Sequence, residues 1–209
     1  MSAVTVSNEQ ATSIKAKVIQ PAWVRALHWT NAFAMVLMIM SGWQIYNASP
    51  LFPFTFPSGV TLGGWLAGGL LWHFAAMWLL VVNGIVYVGL GLLTGRLPRR
   101  LLPVWPRQVI QDLAAALTGR LSHADLAVYN AVQKALYLGV LLAGIVIVAS
   151  GLAIWKPVQL WWLAAALGGY DSARLVHFLA MAAIVGFLVI HVVMALLVPR
   201  SLRAMILGR

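Results

Sequence analysis

The sequence predicts an all-α membrane protein, a four-helix transmembrane bundle with both termini cytoplasmic. Three observations support this prediction. Hydrophobic residues make up 62% of the 209 residues and charged residues only 9%, which lies outside the usage of water-soluble domains. Four apolar runs exceed the roughly 18 residues that mark a membrane-crossing helix. Basic residues lie almost entirely on one side of these runs.

The four predicted spans are separated by segments rich in Pro, Gly or charge. They cover Ala26–Tyr46, Gly63–Leu93, Leu126–Trp155 and Arg174–Val198. Residues 1–22 are polar and are expected to form a cytoplasmic N-terminal segment ahead of one membrane domain, residues 23–209. Residues 107–119 are amphipathic, which predicts a helix along the membrane surface with basic residues toward the lipid headgroups. Ser122 and Asp125 have capping-box spacing and are expected to mark the beginning of the third span.

Basic residues orient the predicted spans. Of the 14 Lys and Arg residues, all but Lys156 and Arg174 lie on one side. Cytoplasmic flanks carry an excess of Lys and Arg, so that side is expected to face the cytoplasm at a bacterial inner membrane. The net charge of +10 therefore indicates topology and not a nucleic-acid partner. The chain has no cysteine, which excludes disulfides and iron–sulfur clusters held by its own thiolates.

Four of the five histidines lie inside the predicted spans, where ionisable side chains are costly and usually functional. His177 and His191 are 14 residues apart, which places them on one helix face about 21 Å apart along the axis. His73 and His177 each precede a cytoplasmic arginine by 23 residues, so both are expected near the periplasmic side. His28 and His191 share the other depth. The fifth, His123, lies in a loop.

Two level pairs of neutral imidazoles from different helices are what bis-histidine ligation of two stacked haems requires. A single intramembrane histidine is equally well explained as a hydrogen-bonded polar group, so the prediction depends on all four. Zinc or di-iron would need three or four ligands at one depth, with carboxylates for iron, and no predicted span contains an acidic residue. A proton channel would have Asp or Glu beside the histidines. The sequence therefore predicts two noncovalent haem b groups, with His28, His73, His177 and His191 as axial ligands.

Arg25 and Arg174 each precede a predicted ligand by three residues. This spacing puts the guanidinium on the ligand's helix face, one turn nearer to water, where a haem propionate would emerge. Basic residues also cluster at helix ends without such a role, which is an alternative for Arg25 above all. Ser41-Gly42 and Ser150-Gly151 lie at matching depths, where a missing Cβ would admit a macrocycle or, equally, a close helix crossing.

The layout of the four histidines and the segment Tyr129-Asn-Ala-Val-Gln-Lys134 resemble the bacterial cytochrome b561 and hydrogenase b-type cytochrome family, which includes the membrane subunit of respiratory formate dehydrogenase. The resemblance covers about residues 21–209. It implies that two b haems carry electrons between a periplasmic redox partner and quinone. It also implies that His73 pairs with His177 at the periplasmic haem, and His28 with His191 at the cytoplasmic haem.

The resemblance also implies a quinone-binding site beside the cytoplasmic haem, with Asn130, Gln133 and Lys134 in its wall. Asn and Gln can donate to a quinone carbonyl, and an ammonium group can stabilise the reduced oxygen or relay a proton. A polar helix start, with Lys134 extending to lipid headgroups, explains the same residues. Residues 23–209 are accordingly interpreted as a four-span di-haem cytochrome b domain.

Short connections between the spans leave no room for a catalytic domain, so an electron-transfer subunit without catalytic residues of its own is expected. Residues 150–159 and 168–171 are most similar to the subgroup whose periplasmic partner is a molybdopterin oxidoreductase; a nickel–iron hydrogenase is the second candidate. A competing hypothesis is a stand-alone superoxide:quinone oxidoreductase, with Lys156 and Arg174 as an anion funnel. A purely structural anchor would not need level pairs of histidines.

Overall fold

The apolar runs of the sequence form long α-helices. A computed structural model of the chain describes residues 20–118 and 129–208. Its four long helices are α1 (Ala22–Ala48), α2 (Leu66–Leu93), α5 (Ala131–Trp155) and α7 (Tyr170–Leu197). Its four shorter helices are α3 (Arg96–Leu101), α4 (Pro106–Leu117), α6 (Trp161–Ala166) and α8 (Pro199–Leu207). A 3-10 turn, Ser58–Val60, precedes α2.

The prediction of a four-helix transmembrane bundle was wrong. The described residues are all-helical, as expected, but they contain eight α-helices, of which only α2, α5 and α7 are long and apolar enough to cross a membrane. α1 has a comparable length, but Arg25, His28, Asn31 and Gln44 interrupt its apolar surface. α3 and α6 lie where loops were expected, because Pro and Gly end an apolar run without preventing one or two helical turns beyond it. The placement of both termini in the cytoplasm depended on a fourth span and falls with it.

The beginning of α5 differs from its predicted position. The helix begins at Ala131, and its N-cap is Asn130. Asp112 of α4 reaches the same helix end, where its carboxylate accepts a hydrogen bond from the Ala131 N–H at 2.7 Å. A carboxylate is favourable there because helix N-termini carry partial positive charge. The expected cap, residues 122–125, and His123 lie outside the described part of the chain. The amphipathic helix predicted over residues 107–119 is confirmed as α4.

The long helices pack as two pairs, α1 with α2 and α5 with α7. Small buried residues, including Ala34, Ala76 and Ala153, let the helix backbones within a pair approach each other. Between the pairs, ring contacts replace backbone contacts; one example is Tyr46 against Phe178, with ring centroids 5.2 Å apart. Side chains, and not main chain, therefore make the contacts between the two pairs.

The two ends of the helix assembly differ in composition. One end, formed by residues 49–65 and 156–169 and called here the aromatic end, carries exposed aromatic side chains: Phe52, Phe54, Trp65, Trp161 and Trp162. The opposite end, called here the basic end, carries most of the described cations: Arg25, Arg96, Arg99, Arg100, Arg107, Lys134, Arg200 and Arg203. The basic end contains the beginnings of α1 and α5 and the ends of α2 and α7.

Candidate functional site

The four histidines of the apolar segments meet in two pairs. His28 of α1 faces His191 of α7 near the basic end, with ring centroids 5.9 Å apart and planes inclined by 56°. His73 of α2 faces His177 of α7 nearer the aromatic end, with centroids 6.5 Å apart and planes inclined by 64°. Each pair bridges the two helix pairs. These are the partners that share a depth in the sequence, while their role as haem ligands stays a prediction.

The separation of the rings suits one metal ion between the two imidazoles of each pair. First-row transition-metal ions such as zinc bind an imidazole nitrogen at about 2.0–2.1 Å. Two such bonds on opposite sides of one ion would hold the ring centroids roughly 6 Å apart. Within residues 20–118 and 129–208, no group of three or more His, Cys, Asp or Glu side chains is placed to hold a metal. Two imidazoles without a third protein donor fit a metal whose other positions a macrocycle fills.

Buried serines orient two of the four imidazoles. The Oγ of Ser41 lies 3.0 Å from Nδ1 of His73, and the Oγ of Ser150 lies 3.1 Å from Nδ1 of His177. Both serines are completely buried. Each hydroxyl donates to the carbonyl four residues earlier on its own helix, at 2.6 and 2.7 Å, so its oxygen remains free to accept from the imidazole. A proton on Nδ1 leaves Nε2 with the lone pair that binds metal.

A glycine follows each of these serines and makes room for the imidazole. A Cβ on Gly42 would lie 3.4 Å from Cε1 of His73. A Cβ on Gly151 would lie 3.1 Å from Cε1 of His177. The sequence suggested that a macrocycle or a helix crossing needs these glycines. In the structure a Cβ at position 151 would crowd the His177 ring, whereas one at position 42 would make ordinary contact with the His73 ring.

Arg25 and Arg174 bind helix C-termini. The Nη1 of Arg25 donates to the carbonyl of Ile206 in the last turn of α8, at 2.7 Å. The Nη2 of Arg174 donates to the carbonyl of Ser49, which ends α1, at 2.5 Å. Cations are favourable at helix C-termini, so both contacts explain these arginines in part. The Nε of Arg25 nevertheless is buried and has no hydrogen-bond partner among the described residues.

Trp43 carries a second buried N–H group for which the described residues supply no partner. Its ring stacks on Phe56, with centroids 4.5 Å apart and planes inclined by 10°, and it follows Gly42, which contacts His73. A buried donor without a partner is destabilising, by about 1–3 kcal/mol. An acceptor such as a propionate carboxylate would satisfy each of these two donors. Trp43 was not among the predicted residues; its only signal in the sequence is its place directly after Ser41-Gly42.

The residues predicted to bind quinone lie at the beginning of α5, at the basic end. The Asn130 side chain accepts from the Gln133 N–H at 2.8 Å, and the Gln133 side chain accepts from the Asn130 N–H at 3.1 Å. Lys134 is half-buried, and its Nζ donates to the carbonyl of Pro103 at 3.4 Å. The structure thus gives two of the three side chains a helix-capping role, and quinone binding by the three stays a prediction.

A row of aromatic rings connects the beginning of α5 with His191. Ring centroids are 5.0 Å apart between Tyr129 and Tyr137, 6.2 Å between Tyr137 and Phe187, and 5.7 Å between Phe187 and His191. Arg100 donates to the hydroxyl of Tyr129 at 3.2 Å. The row was not predicted, although Phe187 and His191 have the four-residue spacing of neighbours on one helix face.

Comparison with known proteins agrees with this site. A family model described as prokaryotic cytochrome b561 matches residues 19–208. An Azospira oryzae protein named "Putative protein-methionine-sulfoxide reductase subunit YedZ1" is 54% identical over 190 residues, which cover 91% of this chain and 96% of that protein. Together with the three apolar helices, these matches indicate a multi-pass membrane protein, and they confirm the resemblance noted in the sequence. The chain belongs to the prokaryotic cytochrome b561 family, and membership implies b-type haem and electron transfer.

Proposed function

We propose that this chain is a membrane subunit that holds two b haems and transfers electrons between a redox protein and quinone in the bacterial inner membrane. The observation that carries the proposal is the pair of two-histidine sites, with ring centroids 5.9 and 6.5 Å apart. Bound haem supplies one-electron oxidation and reduction of its iron. The 14 residues between His177 and His191 separate the two sites by about 21 Å, most of the roughly 30 Å of a bilayer core.

The chain's own side chains would bind and orient these groups. His73 and His177 hold one haem near the aromatic end, and His28 and His191 hold the other near the basic end. The Nε of Arg25 and the indole N–H of Trp43, for which the described residues supply no partner, are donors for propionate carboxylates in this proposal. Arg174 lies one helical turn from His177 and is a third propionate donor in this proposal.

A periplasmic molybdopterin oxidoreductase is the favoured redox partner. The excess of Lys and Arg at the basic end supports the aromatic end as the side at which a periplasmic partner docks. The name of the Azospira protein describes it as a subunit of a protein-methionine-sulfoxide reductase. A partner with that activity is our first candidate for this chain. A nickel–iron hydrogenase is the second.

Quinone is proposed to react near the basic end, beside Asn130, Gln133 and Lys134. Among the described residues the Lys134 ammonium binds one carbonyl, at the long distance of 3.4 Å, so it has donors left for a quinone oxygen. The aromatic row from Tyr129 to His191 connects this region with the nearer histidine pair.

Superoxide oxidation by the chain alone has less support. Both cations of the proposed anion funnel bind their own chain: the Lys156 ammonium lies over the Trp155 ring, 4.7 Å from its centroid, and Arg174 binds Ser49. These contacts engage both cationic groups, which leaves them less free to bind an anion.

Haem stoichiometry tests the proposal most directly. Pyridine-haemochrome analysis of the chain purified from native membranes should give two b haems per chain, and one haem or none would contradict the two-site proposal. A pull-down under the same conditions should recover a molybdopterin protein that is reduced or oxidised through these haems. Rapid superoxide turnover by the isolated chain would instead favour the competing function.

A further inference from the structure

We propose that Ser41 and Ser150 are positioning residues that lower the redox potential of the haem held by His73 and His177, because each serine accepts a hydrogen bond from the Nδ1–H of one ligand. The inference rests on the proposed function, in which these two histidines are the axial ligands of one haem.

The same arrangement occurs twice in the chain. Ser41 lies on α1 and reaches His73 on α2, while Ser150 lies on α5 and reaches His177 on α7. In each helix pair the serine stands on the first helix and the histidine on the second. Both serines are completely buried, and each is followed by a glycine that contacts the same imidazole. The two ligands of one haem are therefore oriented in the same way from opposite sides.

The direction of the hydrogen bond follows from the backbone around Ser150. Nδ1 of His177 lies 3.0 Å from the carbonyl oxygen of Ile147. A carbonyl oxygen can only accept, so this Nδ1 carries the proton. The Ser150 hydroxyl proton is directed to the carbonyl of Val146, at 2.7 Å, which leaves the serine oxygen as an acceptor for the imidazole.

The site on the other helix pair has the same serine contacts. The Ser41 hydroxyl donates to the carbonyl of Leu37 at 2.6 Å. The Ser41 oxygen lies 3.0 Å from Nδ1 of His73, as the Ser150 oxygen lies 3.1 Å from Nδ1 of His177. With the proton on Nδ1, Nε2 is the nitrogen that each imidazole has left to bind metal.

The chemical consequence concerns the charge on the metal. An acceptor at the outer N–H makes a metal-bound imidazole more basic and a stronger electron donor. Stronger donation stabilises the oxidised iron, which carries the higher positive charge, and so lowers the reduction potential. A fully buried acceptor acts more strongly than an exposed one, because little water screens it.

The second histidine pair lacks such acceptors. Among the described residues, neither ring of His28 and His191 has a hydrogen-bond partner, and their nearest ring neighbours are Trp29, at 5.4 Å, and Phe187, at 5.7 Å. The serines therefore act on one haem only, and the other haem is an internal control in every sample.

The test is a potentiometric titration of the full chain in detergent, followed by optical and low-temperature EPR spectra, for wild type, Ser41→Ala and Ser150→Ala. The component that His73→Ala removes should shift to higher potential in each serine variant, and further in the double variant, with a changed EPR signal. The component of the His28 and His191 haem should not move. Ser201→Ala, at a half-buried helical serine of α8, should shift neither component.

Cysteine variants keep the test decisive if alanine disturbs packing. Cysteine is close to serine in size but is a weaker acceptor, so Ser41→Cys and Ser150→Cys should give smaller shifts in the same direction. Unshifted potentials in variants that keep the haem would overturn the inference. So would equal shifts of both components, or loss of the haem from the cysteine variants, which would show a packing role. A wild-type chain that contains one haem by pyridine-haemochrome analysis overturns the two-haem proposal instead.

Discussion

Asn130 and Gln133 bind each other's backbone at the beginning of α5, so each side chain satisfies an N–H group that the helix itself leaves unpaired. The family resemblance implied that both side chains form the wall of a quinone site. A side chain in a capping box has less freedom to turn toward a ligand. Lys134, one residue beyond the box, is the member of the set whose head group the helix does not need. Helix stability and quinone chemistry can therefore be tested at different positions.

Asn130→Ala should destabilise the chain by about 1 kcal/mol, because it removes the acceptor for the Gln133 N–H. Asn130→Asp keeps that acceptor and should retain most of the stability. Thermal unfolding in detergent, with the same haem content in each sample, measures the difference. Equal unfolding midpoints for wild type and Asn130→Ala would show that the capping box contributes nothing measurable.

Lys134→Ala should slow quinone turnover while both haem spectra and the unfolding midpoint stay unchanged, because the ammonium is proposed to bind a quinone oxygen and holds no haem. Stopped-flow reoxidation of the reduced chain by a soluble quinone is the measurement. Lys156→Ala is the matched control: it removes a lysine at the aromatic end and should leave the rate unchanged. Normal kinetics in Lys134→Ala would move the quinone site away from α5.

The depths of the histidines were predictable because helix geometry converts residue counts into height, at about 1.5 Å per residue. That rule placed His73 level with His177 and His28 level with His191, and the structure brings these partners together. The number of helices was not predictable in the same way. α3 and α6 have six residues each, too few for a hydrophobic period, and their formation depends on how the long helices end.

The surroundings of the histidines needed the structure as well. Ser41-Gly42 and Ser150-Gly151 were visible as a repeated pattern, but which group they contact depends on how two helices rotate against each other. Sequence spacing along one helix does not give that rotation. The role of Trp43 could not be predicted for the same reason. Whether its indole N–H finds a hydrogen-bond partner depends on neighbours from other segments of the chain.

Single histidine substitutions should separate the two haems. His28→Ala and His191→Ala should each remove the same component of the reduced-minus-oxidised spectrum, and with it about half of the haem, because axial ligation needs both imidazoles. His73→Ala should remove the other component. If His28→Ala and His73→Ala abolished one common component, the pairing would be wrong.

Glycine-to-alanine changes should disturb the His177 site more than the His73 site. A Cβ at position 151 would lie 3.1 Å from the His177 ring, closer than ordinary van der Waals contact, whereas one at position 42 would lie 3.4 Å from the His73 ring. Gly151→Ala is therefore expected to cost about 1–3 kcal/mol, typical of overpacking, and to lower haem retention more than Gly42→Ala. Haem content after a detergent wash measures both.

Gly144→Ala is the control for these glycine variants. Position 144 lies on the same helix as position 151, and a Cβ there would have no neighbour within 4 Å. Alanine in a helix interior is favoured over glycine by roughly 1 kcal/mol, so this variant should be neutral or slightly stabilising and should keep its haem. Equal haem loss in Gly144→Ala and Gly151→Ala would mean that alanine in this helix causes the loss, and not the contact with His177.

Trp43→Phe should have opposite effects on the haem-free and the haem-loaded protein. In the haem-free chain the indole N–H is buried without a partner in the described structure, and its removal should stabilise the fold by up to about 1–3 kcal/mol. In the loaded chain the same change removes a proposed propionate donor, so stability should fall. The phenylalanine keeps the stacking on Phe56, which limits packing effects.

Trp29→Phe is the matched control, because the Trp29 indole already donates to the carbonyl of Met205, at 3.1 Å. Its loss should cost about 0.5–1.5 kcal/mol whether or not haem is bound, so its sign should not change. Thermal unfolding of both variants, with and without haem, gives the four differences needed. If Trp43 donates to a propionate, the stability change caused by Trp43→Phe should reverse its sign when haem is bound. A Trp43→Phe variant that destabilises both forms equally would mean that this N–H serves the polypeptide alone.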